Sequence, residues 1–233
     1  MIQAMLVAIV AMGVATSPKE EQYKEYGKYD LRDSLKTKTT EDGKTKHYLD
    51  MKMVDKVIDD LAAHAKNYPP TFRSKDEKNR AARDAKMLIS LFDAIAANDK
   101  AETELLLKSG FLNSIAHNLD IKGSAQKASA YYQRLLKREP NHPAGNFHYG
   151  VFLAGTATGQ KKSLPYLEKA LKLGVEDARF SLGLAHLTLG DKTKSLEYLE
   201  SYSKKNPDDE HAKIIIEAIK SGRIEVKKKS QSP

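Results

Sequence analysis

The chain has 233 residues, of which 40 % are hydrophobic, 30 % are charged and none is cysteine; that length can bury a sizeable core without disulfides or a structural metal. The lack of cysteine excludes thiol catalysis, thiolate metal sites and disulfides, and leaves the compartment open. The net charge of +8 sits mostly in the second half and partly in the run Lys227-Lys228-Lys229, which reads as a solvated tail. Elsewhere the signs are interspersed, so nucleic acid is disfavoured as a partner.

Ile2 to Ala15 is almost entirely apolar. It is too short to span a bilayer, which takes about 20 residues, and matches a secretory h-region, with small residues at Gly13-Val14-Ala15 and no Lys or Arg before the run. The expectation is an export signal cut near Ala15, giving a periplasmic or secreted bacterial protein. The alternatives are a cytoplasmic protein whose residues 1–15 form a core or interface helix, or a short membrane anchor. Next comes a polar arm, 16–50. Tyr23, Tyr26 and Tyr29 are spaced by three residues, which suits a surface helix or an extended arm packed through its tyrosines. Thr37 to Leu49 places Lys and Thr around Asp42-Gly43, a pattern that suits a short β-hairpin; a solvated loop is the rival.

Residues 51–66 carry a helical stripe of Met51, Val54, Ile58, Leu61, Ala62 and Ala65, with Asp55, Lys56, Asp59 and Asp60 on the polar side. Tyr68-Pro69-Pro70 ends it. Ser74 and Glu77 form a capping box for a helix that buries Ala81, Ala85, Leu88, Ile89, Phe92 and Ile95. Asn98-Asp99 stops that helix, a short one follows over Ala101 to Lys108, and Ser109-Gly110 breaks the chain.

From Gly110 the sequence repeats at a period of about 34 residues. The clearest unit has Leu182-Gly183, His186, a Gly190-Asp191 turn, Ser195, Leu199 and Pro207. The preceding unit has Tyr149-Gly150, Leu153, Ser163 and Leu167, with one extra turn residue, and Pro165 in the first turn of its second helix. The first has Leu112, Ile115-Ala116, Leu119, Gly123, Ala128, Tyr132 and Pro140. This pattern resembles the tetratricopeptide repeat family. The resemblance implies three helical hairpins stacked as a right-handed α-solenoid, within an all-α fold that also has an N-terminal helical region and the short hairpin near 37–49. Small residues at 116, 150 and 183 let paired helices approach, and Tyr132, Leu167 and Leu199 fill the seams. Glu210 to Lys220 caps the stack with Ile214, Ile215, Ala218 and Ile219. The chain thus divides into 1–15, 16–50, a helical region 51–108, the repeats with their cap 109–222, and a basic tail 223–233.

By the same resemblance, the first helices of the hairpins line a concave groove for a protein or peptide. The matching positions are Asn113 and His117, Phe147 and Val151, and Phe180 and Leu184. A second reading has the N-terminal helices filling that groove. Members that clamp a terminal carboxylate use Lys, Asn and Arg where this chain has Asn113, Phe147 and Phe180, which disfavours the clamp. The seven histidines are scattered without a metal-binding pattern. Gly155 to Lys162 lacks the spacing of a phosphate loop, and Asp59-Asp60 and Asp208-Asp209 diverge on a helix. No catalytic, cofactor or metal residue is assigned. The reading is a non-enzymatic scaffold or adaptor of the bacterial envelope, which could be part of a larger assembly, with at most peripheral membrane contact. A cytoplasmic chaperone or regulator, and a binder of anionic surfaces or nucleic acid through the tail, are the alternatives.

Overall fold

The computed structural model describes residues 24–98 and 101–224. The apolar segment 1–15, Tyr23, Asp99 and the lysine run 227–229 lie outside the described residues. The chain divides into two compact units between Leu135 and Leu136.

In residues 24–135, the arm crosses as an extended strap, Lys24–Asp30, and not as a helix. A single 3₁₀ turn, Leu31–Ser34, leads into β1 (Leu35–Thr39) and β2 (Thr45–Leu49). The strands pair antiparallel, with Leu35 opposite Leu49 and Thr39 opposite Thr45. Gly43, at φ +78°, supplies the left-handed corner residue. Helix α1 (Met51–Ala65) is capped by Asp50, whose Oδ1 accepts from the backbone N–H groups of Lys52 and Met53. It buries Val54, Val57, Ile58, Leu61 and Ala65, while Met51 stays exposed. Asp60 corrects the expected polar face: it is only 5 % exposed, because the strap folds over it.

Helix α2 (Lys75–Ala96) is capped by Ser74, whose Oγ accepts from the Glu77 N–H at 3.2 Å. The return bond of the box goes one residue further back, from the Arg73 N–H to Glu77 Oε2 at 3.0 Å. Ala81, Ala85, Leu88, Ile89 and Phe92 are buried as expected. Ile95 is not, at 47 % exposure; it lies at the edge of the stripe, and Ala96 takes the inner place.

Helix α3 runs unbroken from Thr103 to Asn118, which overturns both the short helix 101–108 and the break at Ser109-Gly110. The reason lies in packing. Gly110 is buried, and a Cβ there would fall 2.6 Å from the Tyr132 ring. The glycine admits the ring, and tertiary packing overrides its helix-breaking tendency of about 1 kcal/mol. Tyr132 belongs to α4 (Ser124–Arg138), which is tied to α2 by Tyr131 Oη donating to Asp93 (2.6 Å) and Arg134 donating to the Ala96 carbonyl (2.9 Å).

Residues 136–224 contain α5 (Pro143–Ala154), α6 (Gln160–Lys172), α7 (Ala178–Thr188), α8 (Lys192–Lys205) and α9 (Glu210–Lys220). Helices α5 and α6 pair as one hairpin and α7 and α8 as the next; α6 and α5 both touch α7, and α8 touches α9. Two seams explain the pairing. A Cβ on Gly150 would lie 2.7 Å from Leu167 Cγ, and one on Gly183 would lie 2.6 Å from Leu199 Cγ, with both leucines fully buried. The turn before α8 needs Gly190 at φ +84°, whose N–H donates to the Leu187 carbonyl at 2.9 Å. Because α6 begins at Gln160, Pro165 stands in the second turn, not the first, and forgoes the bond to the Lys161 carbonyl. On α9, Ala212, Ala218 and Ile219 are buried and Ile215 is half-buried, but Ile214 is 59 % exposed. Ile214 lies about 100° around the helix from Ile215, at the flank of the buried face.

Candidate protein-binding strip

Helices α5 and α7 place Phe147 and Val151, and Phe180 and Leu184, at equivalent positions one repeat apart. The two phenylalanines are half-buried. Phe147 packs against the cluster of Leu167, Leu182 and Ala185. Phe180 packs beside Leu187, Leu199, Ala218 and Ile219, with the Tyr202 ring 5.2 Å away at 50°. Each ring thus closes a seam and keeps a free edge. Leu184 is half-buried, and Val151 stands out at 40 % exposure. Ile214 falls one repeat beyond Phe180 and continues the series in sequence. Sequence reasoning assigned it to the cap's inner face, although the spacing from Phe147 to Phe180 to Ile214 carried the signal.

The strip is electrically quiet. No residue of α5 carries a formal charge. His142 caps that helix by accepting from the Gly145 N–H through Nδ1 at 3.0 Å. Burial pushes the His148 imidazole below its usual 6.5, and the neighbouring His142 adds to this, so His148 is neutral at pH 7. The one charged residue of α7, Arg179, is bound to Glu176 at 2.9 Å and donates to Ser201 Oγ at 3.3 Å. Lys205 reaches the same Glu176 carboxylate at 2.9 Å, and these bonds hold its carboxyl below the usual range.

Asn113 and His117 belong to the other unit. Asn113 is fully buried and its Nδ2 donates to the Ser109 carbonyl at 2.9 Å, so it presents nothing at a surface. The cause is the longer α3, in which Leu106, Ser109, Gly110, Asn113 and Ala116 form one buried row. His117 is half-buried.

A second polar concentration surrounds Asp60. Its Oδ2 accepts from the Gly27 N–H (2.8 Å) and the Tyr29 hydroxyl (2.7 Å), while Oδ1 faces Lys24 Nζ at 3.4 Å and His64 Nε2 at 3.9 Å. Burial alone would raise the Asp60 carboxyl; the donors from Gly27, Tyr29 and Lys24 outweigh it and hold the group below its usual 3.8. Tyr26 Oη donates to Asp84 at 2.9 Å, and Arg80 donates to the Tyr26 carbonyl at 3.3 Å. Burial raises the Asp84 carboxyl above its ordinary value. Asp60 also borders an open cavity of about 500 Å³, ringed by Lys24, Lys52, Asp55, Lys56 and Asp59. Ammonium and carboxylate groups alternate there and neutralise one another, and the network's evident work is to hold the strap. Among the described residues no group of three His, Asp or Glu side chains is placed to hold a metal ion, and no helix is long and apolar enough to cross a membrane.

Helical hairpins joined by glycine-to-leucine seams and closed by a further helix define a helical-repeat protein. Residues 161–210 match the family model described as tetratricopeptide repeat. It is similar in fold to the crystal structure of a thermophilic TPR protein in Thermus thermophilus, with a TM-score of 0.50 and 13 % identity over 73 % of this chain and 94 % of that one. At that identity the likeness is one of fold alone. No curated protein matches the sequence. Tetratricopeptide repeats serve in general as protein-interaction scaffolds and are typically not enzymes.

Proposed function

We propose that this chain is a non-enzymatic adaptor that holds a protein or peptide partner along the strip of Phe147, Val151, Phe180 and Leu184. The observation that carries this reading is the accessible, uncharged surface of α5 and α7, where apolar side chains recur one repeat apart and the few charges at its base are already paired. Apolar side chains of a partner would bury against Val151 and the free edges of the two rings. Val151→Glu tests this with little risk to the fold, because Val151 already meets solvent. A partner retained by the wild-type protein should be lost from Val151→Glu and from the Phe147→Ala, Phe180→Ala pair, with helical circular dichroism unchanged in Val151→Glu. Undiminished retention by Val151→Glu would remove the strip from consideration.

The proposed setting is the bacterial envelope. The support is the sequence pattern of residues 2–15 alone. Sequencing the N-terminus of the protein from its native cell tests it: a start near Thr16 supports export, and an intact Met1 favours the cytoplasmic chaperone or regulator.

A further inference from the structure

The hairpin β1–β2 is at odds with the rest of the described chain. All five residues of β1 are exposed, and Tyr48 on β2 is 51 % exposed. Among the described residues the sheet has only these two strands, so each strand keeps an open edge. Leu49, at the end of β2, packs against the core, but a two-stranded ribbon with one strand wholly exposed is marginal by itself. This one is pinned at its root by the Asp50 N–H donating to the Ser34 carbonyl (2.7 Å), and at its tip by the Thr40 N–H donating to the Lys44 carbonyl (2.8 Å).

Its charge is unbalanced along its body. Lys36 and Lys38 lie on β1 two residues apart, and hence on one face. Among the described residues neither has an anionic partner, whereas Lys44 is paired with Asp42 at 2.9 Å. The register places no carboxylate-bearing residue opposite Lys36 or Lys38, whose ladder partners are Tyr48 and Lys46. Threonines at 37, 39 and 45 favour extended backbone.

We infer that this ribbon is a docking edge for an extended acidic segment of a partner protein, which adds to it as a third strand. Strand addition uses both unmet features: the edge amides and carbonyls pair with the partner backbone, and its carboxylates answer Lys36 and Lys38. A second copy of the chain is a poor occupant, since ribbon on ribbon would stack lysine against lysine. A nucleic acid backbone or an anionic lipid surface would meet the lysines but leave the edge unpaired.

The test uses the full chain and fluorescence anisotropy with a labelled peptide alternating Glu and Val. Binding should weaken as salt rises. The Lys36→Glu, Lys38→Glu double variant should weaken it about tenfold, from two lost cross-strand pairs, and should gain affinity for a peptide alternating Lys and Val. An N-methylated version of the acidic peptide, with the same charges and a blocked backbone edge, should not bind. Absence of binding by the acidic peptide, equal binding of the N-methylated peptide, or tighter binding of an oligothymidylate or of phosphatidylserine vesicles would each overturn the inference. None of these readouts depends on Val151 or Phe180.

Discussion

In residues 136–224 neighbouring helices meet through a missing side chain: Gly150 receives Leu167 and Gly183 receives Leu199. In residues 24–135 an apolar core and the Gly110–Tyr132 contact are joined by polar ties between residues far apart in sequence. Asp60 gathers Gly27 and Tyr29, Asp84 receives Tyr26, and Asp93 receives Tyr131. The repeats build a seam from a local motif and copy it. The other unit adds polar ties between unlike parts that occur once and are not copied. The two should therefore fail differently when a contact is removed.

The largest effect is expected at a seam. Leu199→Ala removes a fully buried side chain facing Gly183 and should lower unfolding stability by about 3 kcal/mol in urea. Gly183→Val should cost about 2 kcal/mol by overpacking the same place. A loss well under 1 kcal/mol in both would mean that the seam does not hold the hairpins together.

Asp60→Ala should follow at about 2 kcal/mol, since it leaves the Gly27 amide and Tyr29 hydroxyl unpaired. Hydrogen exchange should show protection lost around Gly27 and retained in α5 to α9; uniform loss would contradict the contrast between the units. The same carboxylate sets an acid dependence. Because its folded value lies below the ordinary 3.8, its stabilisation is complete above that pH and is lost as pH falls through the folded value. Asp60→Asn should remove this part of the acid dependence, as read from unfolding midpoints across acidic pH. The smallest expected effect is Ser74→Ala, about 1 kcal/mol from the lost cap of α2.

The same contrast explains what the sequence could reveal. Gly150, Gly183, Leu167 and Leu199 recur at repeat spacing, so the hairpins of the second unit are legible without a structure. The hairpin around Asp42-Gly43 is legible from turn chemistry. Asp60 is not, because its burial is imposed by a strap some thirty residues away and local pattern places it beside the exposed Asp59. Gly110 misleads for the same reason: as a string Ser109-Gly110 looks like a stop, and only the Tyr132 ring makes it part of a helix. Of the candidate strip, Phe147, Val151, Phe180 and Leu184 keep some access to solvent, while Asn113 is lost to an interior row created by two extra turns of α3.

The neutrality of α5 has a practical corollary. Helices α6 and α8 carry four lysines each, and α5 has no formal charge at all. A companion lodged on α5 should ride through a high-salt wash that strips material clinging to the lysine-bearing helices, and should come away in mild detergent. The order in which bound proteins elute would thus report which face had held them.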